Sequence, residues 1–414
     1  MIRLIEALNY RCLHDISQQL GDFHVLVGPN ASGKSTFLDV IAFLGQLVSE
    51  DLETAIQART LNFQDLVWQR AADHFELAVE MEIPENRRGY LKKKEFKIVR
   101  YEVSIGLYRD EMAIIAEKVL LKKAAAKPKI VTTSLFPDEK EARPTLLTAK
   151  GIRSAQTIVN KVYGGNDNFY DETGKGWDHA FKLGPRKSAL GNLPDDETKF
   201  PVATWLKDIL INGIQQLTLN SLLMRKPSPP GQTRRFRPDG SNLPWVMDTL
   251  ATSTPNKYRE WIAHLQTAFP DLENIETIER PEDKHRYLVI HYQHGLKVPS
   301  WMVSDGTLRM LALTLPAYLP DLRGIYLIEE PENGIHPLAV ETMYQSLSSV
   351  YDAQILMATH SPVILSVADA SQVLCFSKTV RGATDVVQGN HHPALREWKG
   401  EENLGVLFAG GVLG

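Results

Sequence analysis

The sequence predicts an α/β fold: a mixed sheet with flanking helices, an antiparallel β-subdomain and a mostly helical second lobe. Three observations carry this expectation. A β-rich apolar stretch, Phe23 to Val27, runs into a Gly-rich turn and then into an amphipathic helix from about Lys34. Two later apolar stretches, Ile325 to Ile328 and "AQILMATHSP", end in chemistry-bearing residues, as strands of an open α/β sheet do at their carboxyl ends. Between them, "HFELAVEMEI" and "FKIVRYEVSIGLYR" alternate apolar and polar residues, the period of antiparallel strands.

Size and composition agree with a multi-lobed globular chain. At 414 residues it exceeds one typical domain. Hydrophobic residues make up 43% and charged residues 23%, so a sizeable core is expected and dominant disorder is not. The net charge of −4, from 46 basic against 50 acidic residues, means that any nucleic-acid contact must come from local patches. Cys12 and Cys375 cannot build a zinc site between them and form no Cys-x-x-Cys hook, which fits a reducing cytoplasm. The opening "MIRLIEALNYRC" lacks a signal-peptide pattern, and no apolar run approaches the roughly 18 residues of a membrane span. A cytoplasmic chain with no membrane contact is therefore expected. No sustained heptads predict long coiled-coil arms, and no internal repeat is evident.

Along the chain, the first chemical signal is Gly28-x-x-x-x-Gly33-Lys34-Ser35, a Walker A pattern in the strand-loop-helix context it requires. Glycines let the backbone wrap phosphate oxygens, and successive N–H groups with the helix N-terminus offer a positive field. Gly28, Pro29, Asn30, Ala31, Ser32, Gly33, Lys34, Ser35 and Thr36 are the candidate nucleotide-binding set. In this reading Lys34 neutralises β- and γ-phosphate charge and the Ser35 hydroxyl ligates Mg2+. Binding is implied by the motif; hydrolysis is not.

Residues 46–295 read as strands first and then as irregular and helical pieces, with Lys122 to Thr198 the least legible. Two basic stretches stand out, "NRRGYLKKKEFK" at 86–97 and "RKPSPPGQTRRFRP" at 225–238. The second is Pro-rich and has no acid between Arg225 and Pro238, which predicts an exposed loop. Its Arg234, Arg235 and Arg237 are candidate phosphate contacts for DNA or RNA, with plain solvated faces as the competing reading.

Further on, "VSDGTLRM" puts Ser304, Asp305 and Gly306 at the start of a predicted helix, where on their own they read as an N-cap and turn. "RGIYLIEEPENGIHP" ends a strand in Glu329-Glu330, a pair suited to metal support through water by the first acid and to work on an attacking water by the second. His360, just past the next strand, is a candidate γ-phosphate contact.

Taken in order, "GPNASGKST", "VSDGTLR", "IYLIEEPENGIHP" and "ATHSP" resemble the Walker A, signature, Walker B and switch motifs of ABC-type ATPases. The fold class this resemblance implies is a P-loop NTPase of ABC type. More narrowly, the chain resembles the RecF/SMC/OLD branch, the AAA-type, AbiEii-like or overcoming-lysogenization-defect (OLD-like) stand-alone ATPases. Its opening "IEALNYRCLHDISQQLGDFHVLVGPNASGKST", with the Tyr10-Arg11 pair and Asn30 in the loop, carries that likeness. The motifs cover about 1–45 and 295–370.

The resemblance implies ATP and Mg2+ as cofactors, catalytic roles for Glu330 and His360, metal support by Ser35 and Glu329, and a place for Arg11 near the adenine or phosphates. It also implies that Ser304, Asp305 and Gly306 act in trans on ATP held by a second copy, hence an ATP-sandwiched homodimer. A core of 1–120 and 296–414 is expected around an inserted lobe, 121–295. A Q-loop is expected too: Gln215, Gln216 and Asn220 in "INGIQQLTLNSLL" are the preferred candidates, with Gln64 in "NFQDLVW" as competitor. The implied function is an ATP-hydrolysing switch that controls a separately encoded nuclease or toxin in bacterial anti-phage defence. The short stretch after His360 has no room for the Toprim domain of OLD-type nucleases, so effector chemistry is expected from another polypeptide. A RecF-like DNA-repair ATPase is the alternative. A transporter's nucleotide-binding subunit is a further one, disfavoured by the Ser-Asp-Gly-Thr signature and the Glu-Glu pair.

Overall fold

The structure, a computed structural model, describes residues 1–124, 142–149, 151–152, 154–176 and 178–391. They form two compact units, one of Met1–Ile214 with residues 370–391, the other of Gln215–Asp369. The glycine-rich loop belongs to the first; Ser304, Glu329, Glu330 and His360 belong to the second. These divisions fall at other points than the 121–295 insertion expected from the motifs, because strands at 155–181 continue the first unit's sheet. The 392–414 end of the expected core lies outside the described residues.

The first unit opens with the hairpin β1 (Ile2–Tyr10) and β2 (Leu13–Gln19), then β3 (Phe23–Val27), which feeds the loop and the helix Lys34–Ser49. The two alternating stretches become β4 (His74–Glu82) and β5 (Phe96–Tyr108). They are followed by β6 (Glu111–Lys123), β7 (Ala155–Val162), β8 (Asp167–Phe169) and β9 (His179–Phe181). The sheet order is β2-β1-β4-β5-β6-β7-β8-β9, antiparallel throughout. On one face Phe75 sits edge-on to Phe43 of the loop helix, ring centroids 5.6 Å apart, which fixes that helix against the sheet.

Alternation commonly leaves the other face of such a sheet wet. Here that face carries Glu6, Glu76, Glu80, Arg100, Glu102 and Lys118, and all are buried. The segment Arg143–Thr148 crosses over them. Arg100 donates to Glu6 at 2.6 Å, Glu102 at 2.7 Å, Glu80 at 3.3 Å and the Leu146 carbonyl at 3.0 Å. Glu76 accepts the Leu146 N–H, Glu102 the Thr148 N–H, and Lys118 donates to the Thr148 carbonyl at 2.6 Å. Burial of these charges is tolerable because each is paired and hydrogen-bonded.

The second unit begins beside β10 (Ile214–Leu217) and continues through the helices Ser221–Arg225, Leu243–Ser253 and Pro255–Ala268. An antiparallel sheet follows, of β11 (Leu272–Glu279), β12 (Arg286–Tyr292) and β13 (Lys297–Pro299). The helix Asp305–Thr314 leads to β14 (Gly324–Glu329), and the helix Pro337–Ser348 to β15 (Ala353–Ala358). β14 and β15 are parallel, with Glu329 opposite Ala358. Both are buried along almost their whole length, which explains their mainly apolar sequences, Gln354 in β15 being a buried polar exception. The chain returns to the first unit with β16 (Val373–Lys378), parallel to β3, and β17 (Thr384–Gln388), antiparallel to β16. Among the described residues, no helix is long and apolar enough to cross a membrane. The longest there is Lys34–Ser49, far short of a coiled-coil arm.

Candidate functional site

In the first unit the loop between β3 and its helix is shaped by two glycines that no other residue could replace without movement. Gly28 has φ 148°, and a Cβ there would lie 2.2 Å from the Phe376 carbonyl oxygen. Gly33 has φ 106°, and a Cβ would meet Thr384 Oγ1 at 2.2 Å. Thr384 donates its hydroxyl to the Ser32 carbonyl at 2.9 Å and its N–H to the Cys12 carbonyl, so β17 braces the loop from behind. Lys34 Nζ donates to the loop's own carbonyls, Gly28 at 2.8 Å and Pro29 at 3.0 Å. Its helix has no side-chain cap and no acid in its first turn, which leaves a positive helix end facing the loop.

Within the loop Pro29, Asn30 and Ala31 are exposed, as is Ser35, while Ser32, Gly33 and Lys34 are buried. Ser32 Oγ, fully buried, has no hydrogen-bond partner among the described residues. Thr36 Oγ1 accepts from Cys12 Sγ at 3.4 Å. Arg11 sits at the β1–β2 turn with φ 52°, and its guanidinium lies 3.5 Å from Asp39 of the loop helix. Asp39 also takes the Tyr10 hydroxyl at 2.6 Å and pairs with Arg59 at 2.7 Å. The set fits a nucleoside triphosphate and its cation: backbone and lysine donors for the phosphates, and the Ser35 hydroxyl as a hard oxygen ligand. No group of three or more His, Cys, Asp or Glu that could hold a metal occurs among the described residues.

The second unit assembles its candidates on the carboxyl edge of β14 and β15. Glu329 ends β14 and is exposed. Glu330 follows with φ 45°, a left-handed conformation that is strained for a residue with a side chain. Its N–H donates to the Ala358 carbonyl at 2.8 Å, and its carboxylate accepts Asn333 Nδ2 at 2.5 Å. Both acids face outward. One strand over, the His360 N–H and the Thr359 hydroxyl both donate to Glu332 Oε1, at 3.0 and 2.7 Å. Ser361 then caps the next helix through the Ile364 N–H.

Ser304 caps the helix Asp305–Thr314, accepting the Thr307 N–H at 3.2 Å, and stays exposed. Asp305 pairs with Arg225 at 2.6 Å. Gly306 packs so closely that a Cβ would lie 2.2 Å from the Gly334 carbonyl, in the turn that follows Glu330. The structure thus brings Gly306, next in sequence to Ser304 and Asp305, against the turn that follows Glu330, within one unit.

Of the Q-loop candidates, Gln215 is buried in β10 with its Oε1 unpartnered among the described residues, and Gln216 alternates outward. Asn220 caps Ser221–Arg225 by accepting the Leu222 and Leu223 N–H groups. The competitor Gln64 also has a buried, unpartnered Oε1 among those residues. Arg234, Arg235 and Arg237 are exposed on a loop anchored by buried Phe236 and by Asn242, which donates to the Thr233 and Arg235 carbonyls. The first basic stretch is partly neutralised, since Arg87 pairs with Glu197 and Arg88 with Glu85. Three residues escaped the sequence reading: Glu332, Arg309 and Thr384. Glu332 is a third acid in "EEPENG" and could have been singled out on that ground; the others left no local signal.

A phosphate loop feeding a helix, strand-end carboxylates and a capped small-residue helix define a P-loop ATPase domain of ABC type. The chain belongs to the family described as "AAA domain, putative AbiEii toxin, Type IV TA system", which matches residues 23–366. Among solved structures it is similar to a crystal structure of the SmcHead bound to the C-winged helix domain of ScpA, with TM-score 0.55 and 14% identity over 93% of this chain and 97% of that one. It is also similar to the Smc head domain with an extended coiled coil bound to the C-terminal domain of ScpA, derived from Pyrococcus furiosus, with TM-score 0.53 and 13% identity over 93% and 95%. At such identities the likeness carries the fold. No curated protein matches in sequence.

Proposed function

We propose that the chain is an ATP-hydrolysing switch, two copies of which close around ATP and thereby control a separately encoded effector. The observation that carries the hydrolytic part is Glu330: an exposed carboxylate held in a strained backbone by Ala358 and Asn333, at a parallel strand's carboxyl end. In this reading the loop N–H groups and Lys34 bind the phosphates, with Lys34 exchanging its carbonyl partners for phosphate oxygens. Ser35 and Glu329 would hold Mg2+, which supplies charge neutralisation between the β- and γ-phosphates. Glu330 orients the attacking water and accepts its proton. His360 and, from the second copy, Ser304 and Gly306 read the γ-phosphate.

Loss of that phosphate removes the contacts bridging the copies, so nucleotide state biases an open and closed equilibrium. The family description, which names a putative toxin and a type IV toxin–antitoxin system, fits a link to a toxin. The Smc heads, which are bound to ScpA domains, support a partner protein on this fold.

Glu330→Gln tests the reading. ATP binding should persist, turnover should fall by about 10²- to 10⁴-fold, and a dimer should accumulate with ATP and Mg2+ in light scattering. Wild-type turnover, or a monomer under those conditions, overturns it. A second reading, a RecF-like DNA-binding ATPase, rests on the exposed Arg234, Arg235 and Arg237. It requires DNA-stimulated turnover that disappears when the three charges are reversed.

A further inference from the structure

We propose that Glu332 is a positioning residue that ties the helix Asp305–Thr314, which begins at Ser304, to His360. The inference rests on the ATPase reading above and adds a route by which the two candidate γ-phosphate sensors of one chain act together. Three observations carry it, all within the second unit.

First, Glu332 Oε1 holds the Thr359 hydroxyl at 2.7 Å and the His360 N–H at 3.0 Å. One carboxylate oxygen therefore fixes the backbone from which the His360 ring projects. Second, Gly306 lies against the Gly334 carbonyl with no room for a Cβ, so the helix start and the Glu330–Ile335 turn cannot move independently at that point. Third, Glu332 Oε2 and Arg309 Nε are both buried, and neither has a hydrogen-bond partner among the described residues.

Arg309 lies one turn into the same helix, within electrostatic reach of Asp305 and Glu332. Desolvation outweighs those two attractions and lowers its pKa from the ordinary guanidinium value. Arg309 and Glu332 thus attract each other across a hydrogen bond that is not made. Leaving such atoms buried and open is unfavourable. A shift of the helix that brings Arg309 onto Glu332 satisfies both at once and loads the same carboxylate that holds His360. Contact of Ser304 with a γ-phosphate would be felt at His360 through Arg309 and Glu332.

The test uses the full chain and Glu332→Gln, Arg309→Met and their combination. Each single change should lower kcat about tenfold, the scale of one charge-assisted hydrogen bond, with KM within about twofold. The double variant should be no slower than either single one, because both break one link. Thr359→Val, which leaves the Arg309 pair intact, should lower kcat by about threefold, the scale of a neutral hydrogen bond. Multiplicative losses in the double variant, or losses confined to KM, overturn the coupling.

A readout independent of turnover is amide exchange in nucleotide-free Glu332→Ala, where the His360 N–H should exchange faster than in wild type. Unchanged protection there overturns the positioning role, whatever the ATPase result. Absence of turnover in the wild type, with faster exchange in Glu332→Ala, would instead sink the ATPase reading and leave the positioning contact standing.

Discussion

Two clusters of buried charge in this chain differ in how completely they are matched. On the polar face of the eight-stranded sheet, Arg100 meets Glu6, Glu80, Glu102 and a backbone carbonyl, and none of the charged residues of that face has a buried side-chain atom left over. Beside the helix Asp305–Thr314, Arg309 and Glu332 each keep one. A completed network resists displacement, because moving any member strands a charge in low dielectric. An incomplete one gains from displacement. The first cluster therefore holds a shape, and the second is set to respond.

The comparison can be broken at its strong end first. Arg100→Leu leaves Glu6, Glu80 and Glu102 buried without their common partner, and should destabilise the protein by about 3–5 kcal/mol in urea denaturation. A loss below about 1 kcal/mol would put the network in the class of weakly contributing ion pairs. Next comes Gly306→Ala. Its Cβ would meet backbone at 2.2 Å, and overpacking of this kind costs about 1–3 kcal/mol against a helix-propensity gain of at most about 1 kcal/mol. The clash wins, so the expected result is a net loss of stability together with slower turnover. An unchanged melting temperature would show that the helix and the turn slide freely.

The smallest effect sharpens the contrast. Ser32 Oγ is another open buried atom, and removing it in Ser32→Ala should leave stability within about 0.5 kcal/mol, because no hydrogen bond is lost. ATP affinity, measured by titration, should nevertheless fall severalfold, since the hydroxyl's proposed partner is the nucleotide. A large stability loss would mean that Ser32 is structural.

Much of this was legible because its signals are local. The loop, β3, β4, β5, β14 and β15 each announce themselves within a short window, by a strand-loop-helix pattern, a period of two or a mainly apolar run. What stayed hidden depends on distant partners. β8 and β9 are three residues each, too short for any period; β8 owes its strand character to the edge of β7, and β9 to the edge of β8. The cover over the polar face is held by peptide groups at Leu146 and Thr148 and by the side chains of Arg143, Thr145 and Thr148, whose acidic partners lie on strands far away in sequence. Glu332 is visible as an acid, but its use depends on Thr359 at the end of another strand. Thr384 supports the phosphate loop from more than 340 positions away, its partner Ser32 being 352 residues earlier. Even Ser304, legible as a cap, reveals its packing only through Gly306 and Gly334.

The cover Arg143–Thr148 has one more consequence. At Leu146 and Thr148 the sheet grips both the N–H and the C=O of the main chain, through Glu76, Arg100, Glu102 and Lys118. Those charges read what every amino acid has in common. The segment is accordingly held in two ways: the peptide groups at 146 and 148 are gripped whatever side chains they carry, so that a single proline at either would be refused, whereas the bonds of Arg143, Thr145 and Thr148 to Asp15, Glu6, Glu76 and Glu102 would be lost with a different sequence.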